Sequence, residues 1–277
     1  MAGSVPVNEG DAQAGAAKES FIDGFLKSGF SGVAPWILLS VLSGPGRFEI
    51  AVLGALVFSL LIIGLGRWRG MPVHSLEIVG VIYFAALAVA GLVAPDNVIR
   101  WLDDWAGVLS NVVLALFVLS TILVRKPFTL SYAKQEAPPE VWDEPGFLRL
   151  NNVISAAWGA AFAVSAAAGA TGLLVLHDND NMWTAWVLPL AVTFLAIGFT
   201  EVYPDRVVAR ETGETAPPLA KVFDWLPGFL LVVGIVGWIA DAFPDAVAIA
   251  LIAVGVVGSA LLRRILPPEP GTAKATG

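Results

Sequence analysis

The sequence contains no cysteine and only two histidines in 277 residues. The first absence excludes disulfides, thiolate metal sites and a cysteine nucleophile, and leaves the redox compartment open. Charge is scarce too. Asp, Glu, Lys and Arg make up 14% of the chain, against about 25% in soluble domains, too little to give it a polar surface. There is no P-loop, no dinucleotide fingerprint, no HExxH helix and no Cys/His cluster, so neither a cofactor nor a metal centre is expected. No basic stripe argues for nucleic acid, and no Arg-rich helix argues for a voltage sensor. The first twenty residues, MAGSVPVNEGDAQAGAAKES, lack the basic start and apolar core of a cleavable signal. They read as a disordered cytoplasmic tail.

What the chain has is apolar length. Hydrophobic residues make up 57% of it, gathered in runs of roughly 18 or more, enough to span a bilayer core about 30 Å thick. A transmembrane barrel would need short segments of alternating polarity, and none is present. The fold class is therefore all-α, a polytopic transmembrane helical bundle of about eight spans in contact with the lipid bilayer. The spans are expected at 30–43, 48–65, 76–93, 105–124, 153–176, 182–200, 225–240 and 246–262. The first is short and interrupted by Pro35. It either extends back through 21–26 to cross fully or forms a re-entrant hairpin. The domain reading is a tail at 1–20, a five-span domain at 21–176, a three-span extension at 177–264 and a second tail at 265–277.

Charge placement orients this model. With both termini in the cytoplasm, 14 of the 16 Lys and Arg residues fall on the inner side, and only Arg47 and Arg100 lie outside. That bias is what the positive-inside rule demands. The outer loops instead carry Asp96, Asp103, Asp104, Asp178, Asp180, Asp241 and Asp245. The expected location is a cytoplasmic (inner) membrane, crossed many times.

The long polar connector from Arg125 to Trp158 holds the most unusual residues. Lys126-Pro127 closes one helix, while Pro138-Pro139 and Pro145-Gly146 break the middle. Trp142 and Phe147 suit a segment on the cytoplasmic membrane surface. The fifth span, ISAAWGAAFAVSAAAGATG, is nearly all small residues, which let helix backbones approach closely in lipid. The eighth span, with Gly255 and Gly258, carries a weaker form of that signal.

Several side chains are candidates for a site or vestibule. His74 and Glu77 lie one helical turn apart and share a face; the pair either binds metal or relays protons, or simply pairs at the interface, the commoner role. Asn111 coordinates an ion or bonds a neighbouring helix. Asn151 and Asn152 cap the fifth helix or line a cytoplasmic vestibule, with Trp158 one to two turns further on. Glu201 is expected to end the sixth helix at Tyr203-Pro204, as a carboxylate gate or a solvated end group. No catalytic constellation emerges from these positions.

At the connector the chain resembles the intracellular septation protein A family of bacterial inner-membrane proteins. The residues that carry the likeness are Pro35, Arg67-Trp68-Arg69, Trp101, Lys126-Pro127, Pro139-x-Val141-Trp142, Leu150-Asn151 and Trp158. The likeness covers about residues 20 to 176; the last three spans and the stretch 128–135 lie outside the family's shorter form. The resemblance implies an envelope-associated protein linked to cell division or envelope upkeep through membrane partners, and the chain as a whole reads as a non-enzymatic component with a membrane-protein partner expected at the connector, Arg125 to Asn152. It transfers no catalytic residue. Two other readings stay open: a transporter or channel for a small solute or ion, and a lipid-modifying enzyme. A water-accessible cavity reaching Glu77, Asn111 or Asn152 would overturn the scaffold reading, and a bundle packed solidly through its centre would sink transport.

Overall fold

A computed structural model describes residues 23–265 apart from 27, 29 and 45. The two expected tails fall outside them, except for the backbone of Ile265. Every regular element among the described residues is helical. In chain order the helices are α1 (Phe30–Leu42), α2 (Phe48–Trp68), α3 (Ser75–Val93), α4 (Asp96–Leu123), α5 (Leu130–Glu136), α6 (Pro145–Thr171), α7 (Leu188–Thr212), α8 (Leu226–Ile239) and α9 (Asp245–Ile265). Short 3-10 turns cover Pro139–Val141 and Leu219–Phe223, and π-helical turns cover Gly172–Leu176 and Met182–Val187.

Seven helical stretches are long and apolar enough to cross a membrane. The eighth expected span, α1, is a single uninterrupted helix of 13 residues with Pro35 inside it. At 1.5 Å per residue it measures about 20 Å, less than a bilayer core of about 30 Å. It has none of the two-armed form of a re-entrant hairpin. One helical turn, Asp23 to Leu26, precedes it, on the side where the sequence allows an extension.

Contacts divide the chain into two compact units. The first holds the described residues up to Gly107 together with Val124–Asn151, and the second holds Val108–Leu123 together with the described residues from Asn152 onward. In the first unit α1, α2 and α3 pack together. Helix α2 shows why: Ala51, Val52, Ala55, Ser59 and Ile62 are buried, while Ile50, Leu53, Val57, Leu60 and Leu61 are exposed. Small residues face the neighbouring helices and long aliphatic ones face outward, the arrangement favoured where lipid is the solvent. Phe84, Leu39, Leu76 and Val52 are fully buried. Trp36 stacks on Tyr83 at 5.1 Å and tilts against Phe84 at 4.8 Å.

In the second unit the small residues of α6 do what their composition predicts. A Cβ on Gly169 would stand 2.9 Å from Val108, and one on Gly159 would stand 3.1 Å from Val118, both on the second half of α4. The α8–α9 pair is close as well. A Cβ on Gly255 would come within 2.7 Å of the Leu231 nitrogen and the Pro227 oxygen, and one on Gly234 within 2.9 Å of the Ala248 oxygen.

Three boundaries differ from the sequence reading. Helix α4 begins at Asp96, so Trp101, Asp103 and Asp104 are helical and not part of a loop. Pro95 precedes that start, its carbonyl accepts the first bonds from Val98 and Ile99, and Asp96 suits the positive end of the helix dipole. Helix α6 opens at Pro145, six residues before Asn151, because proline is pre-organised for a first turn. Helix α7 runs through Pro204 to Thr212 and ends at Gly213, φ 75°. Proline removes one backbone bond, but the preceding turn is held from outside: Trp158 donates to Thr200 Oγ1 at 3.1 Å, and Gly198 lies against the Val222 carbonyl.

Candidate functional site

The polar residues that converge do so in the first unit, where the connector folds back onto the start of α3. Two local features prepare that start. Helix α2 closes with Gly70 at φ 76°; Gly70 N–H donates to Arg67 O, and Met71 N–H reaches Gly66 O at 2.9 Å, the paired bonds of a Schellman turn. His74 then stands at the N-cap of α3 in extended conformation. Glu77 turns back on it, one carboxylate oxygen accepting the His74 backbone N–H at 3.0 Å and the other facing ring Nδ1 at 3.3 Å. This is the glutamate half of a capping box, with the histidine ring as a second partner.

Helix α5 supplies the opposite wall. Its sequence LSYAKQE is rich in helix formers. It stops at Ala137, whose extended conformation (φ −95°, ψ 142°) is what a residue before proline prefers. Tyr132 stacks on the His74 ring, centroids 4.0 Å apart and planes 11° from parallel. The Gln135 amide nitrogen meets His74 Nε2. Both ring nitrogens are therefore engaged, Nδ1 by the Glu77 carboxyl group and Nε2 by the Gln135 amide. His74 is 3% exposed and Tyr132 6%, so this contact excludes solvent.

The rest of the connector is ordered around α5. Thr129 donates to the Asn151 carbonyl at 3.0 Å, and Trp142 Nε1 donates to Ala137 O at 3.0 Å. Lys134 lies 5.0 Å over the Trp142 ring, and Pro127 and Phe128 are buried. Glu136, Glu140, Asp143 and Glu144 remain exposed, forming an acidic outer rim.

Beneath the cluster, α1, α2 and α3 border a small cavity of about 10 Å³ lined by Ser31, Gly32, Pro35, Trp36, Ser59, Ile62, Glu77 and Gly80. Its wall carries the indole Nε1 of Trp36, which has no hydrogen-bond partner among the described residues. The Tyr132 hydroxyl is likewise unpartnered and abuts Gly32. Burial, with the Glu77 charge adding to it, pushes the Tyr132 phenol well above its ordinary range.

That shift has a definite sign. A phenol raised above its unfolded value of about 10 stays neutral in the fold while the unfolded chain ionises. Its stabilising contribution is complete below about pH 10 and falls as pH rises further. We therefore expect the docked connector to lose stability as pH rises above about 10, and Tyr132→Phe to be spared that loss. Ultraviolet absorbance of the tyrosinate, wild type against Tyr132→Phe, is the measurement.

The remaining candidates lie elsewhere. Asn151 is 1% exposed and inside α6; its Nδ2 donates to Phe147 O at 2.9 Å. It is not a cap, because the helix begins too early for that. Asn152 is also helical and not a cap, and its Oδ1 is buried without a partner. Asn111, half-buried in α4, takes part in a polar interaction. Trp158 is buried and bonded to Thr200. Glu201 is exposed within α7 and does not end it, since that helix continues past Pro204. Asn111, Asn152, Trp158 and Glu201 belong to the second unit. Sequence reasoning missed Trp36, Tyr132 and Gln135. Only the scarcity of tyrosine, three in the chain, could have flagged one of them. No group of three or more His, Asp or Glu side chains with metal-binding geometry occurs among the described residues. Comparison with protein-family models, with curated proteins and with solved structures finds no match.

Proposed function

We propose that this chain is a non-enzymatic, multi-pass component of a bacterial cytoplasmic membrane, acting in envelope maintenance or cell division by binding a membrane-protein partner through its connector. The observation that carries this reading is the ordered connector. A passive loop needs no stacked Tyr132, no bond from Gln135 and no Trp142 held by its indole N–H. Such anchoring gives the acidic rim at Glu136, Glu140, Asp143 and Glu144 a fixed shape, which lowers the ordering cost of binding. The likeness of residues 20–176 to the septation protein A family supports the same role.

The test places a photo-crosslinking residue at Glu140 or Asp143, with Ile82 on the exposed face of α3 as control, in living cells. One discrete adduct from the connector positions alone is expected, together with a division or envelope defect when the rim is neutralised. Identical patterns at all three positions would overturn the reading, as would normal cells after rim neutralisation. The orientation rests on the distribution of Lys and Arg. Because the chain has no cysteine, single cysteines at 178–181 and 212–215 report sidedness without background. The first should label from outside and the second only from inside; equal labelling from outside would contradict both termini being cytoplasmic.

A second reading, passage of a small solute or ion, is favoured by the cavity at Glu77. Its volume suits a water-sized occupant.

A further inference from the structure

The cavity at Glu77 combines features that generic helix packing does not require. Trp36, which lines the cavity, is 3% exposed, and its Nε1–H, a donor only, has no acceptor among the described residues. Leaving a buried donor unsatisfied is destabilising, and a phenylalanine would fill much of the same space without that cost. On the same cavity stands Glu77, an acceptor only, its side chain 8% exposed. The hydroxyl residues Ser31 and Ser59 complete the polar wall. A cation would be drawn to the carboxylate but repelled by the indole N–H, and an anion the reverse. Water satisfies both, accepting from Trp36 and donating to Glu77, and it matches the cavity in size.

We propose that this cavity binds one water molecule between Trp36 Nε1 and the Glu77 carboxylate, and that the water and Glu77 form a proton-exchange site. This deepens the second reading above and does not depend on the connector's partner. A proton arriving on the water passes to a Glu77 oxygen, leaving neutral water and a neutral carboxyl group; the reverse transfer releases it. Protonation removes one acceptor from the pair of oxygens that hold His74. Proton uptake in the cavity thus loosens the ring on which α5 is stacked. The titratable groups facing Glu77 are His74 from its own element and Tyr132 from α5. Helices α1 and α2 contribute the neutral Ser31, Trp36 and Ser59. Trp36 orients the water and does not ionise.

The test is nuclear magnetic resonance on the full chain in lipid nanodiscs with 15N-labelled tryptophan. Pro35-Trp36 is the sequence's one Pro-Trp pair. Labelling proline carbonyl carbon together with tryptophan nitrogen therefore assigns the Trp36 backbone amide, and loss of one indole signal in Trp36→Phe assigns its Nε1–H. The expected result is magnetisation transfer from water to the Trp36 indole proton, with an indole shift that follows pH in the wild type and is flat in Glu77→Gln. A dry indole proton would overturn the site. A shift set by sodium or potassium at constant pH would replace the water with a cation and overturn the proposal. An equal pH response in Glu77→Gln would overturn the exchange step. Connector crosslinking at Glu140, measured on the same Glu77→Gln variant, separates this outcome from the docking role, which stands if crosslinking persists.

Discussion

Gly255→Leu will drive α8 and α9 apart and cost the second unit about 3 kcal/mol. The reason lies in what the side chain would meet. At Gly255 even a Cβ falls 2.7 Å from the Leu231 nitrogen and the Pro227 oxygen, and 2.8 Å from the Leu231 Cβ. Two of these are backbone atoms of α8, which cannot rotate away as a side-chain tip can. In lipid the loss is serious, because helices there associate through close packing and not through expulsion of water. Gly255→Ala should cost less, about 1–2 kcal/mol, and Gly64→Ala, where a Cβ meets nothing within 4 Å, should be close to neutral. Unfolding in mixed micelles with increasing sodium dodecyl sulfate, followed by circular dichroism, ranks the three. Gly255→Leu as stable as Gly64→Ala would contradict the packing of this pair.

Gly32→Ala is the second large effect, and it acts on the connector from a distance in sequence. The added methyl would collide with the Tyr132 hydroxyl and stand 2.9 Å from Leu76 Cδ2. Leu76 is fully buried and Tyr132 is pressed flat on His74, so neither has an easy alternative rotamer. The expected cost is about 2 kcal/mol, expressed as undocking of α5 and not as global unfolding. Adding Tyr132→Phe removes the colliding oxygen and should restore most of the loss. Groups in contact are coupled, so the double variant will be more stable than the sum of the singles predicts. A strictly additive pair, measured by hydrogen exchange of α5, would mean that the hydroxyl does not touch Gly32.

Much of the architecture was legible because lipid imposes a crude code. Apolar length marks the seven long helices, and small residues mark the tight contacts of α6 and α9. Helix ends were less legible, since they depend on what packs beside them. Pro204 looks like an exit in sequence, yet α7 passes through it. Asn151 and Asn152 look like caps, yet α6 starts at Pro145. Of the site, the His74–Glu77 pair was visible because one helical turn separates its members. Gln135 and Tyr132 were not, because Gln135 lies 61 residues from His74 in sequence, Tyr132 nearly as far, and their proximity follows from the return of the connector. Trp36 reads in sequence as one more interfacial aromatic. Its unpartnered N–H appears only once the helices around it are in place.

The central claim is that the connector is built onto the start of α3 through His74. Hydrogen exchange of the backbone amides of Leu130–Glu136, in wild type and in His74→Ala within the same nanodiscs, tests it most directly. A seven-residue helix is marginal by itself, so protection must come from docking. The account predicts slow exchange in the wild type and at least a tenfold acceleration in His74→Ala, with α2 and the body of α3 unchanged. Exchange at unstructured rates in the wild type, or equal protection in both proteins, would contradict it.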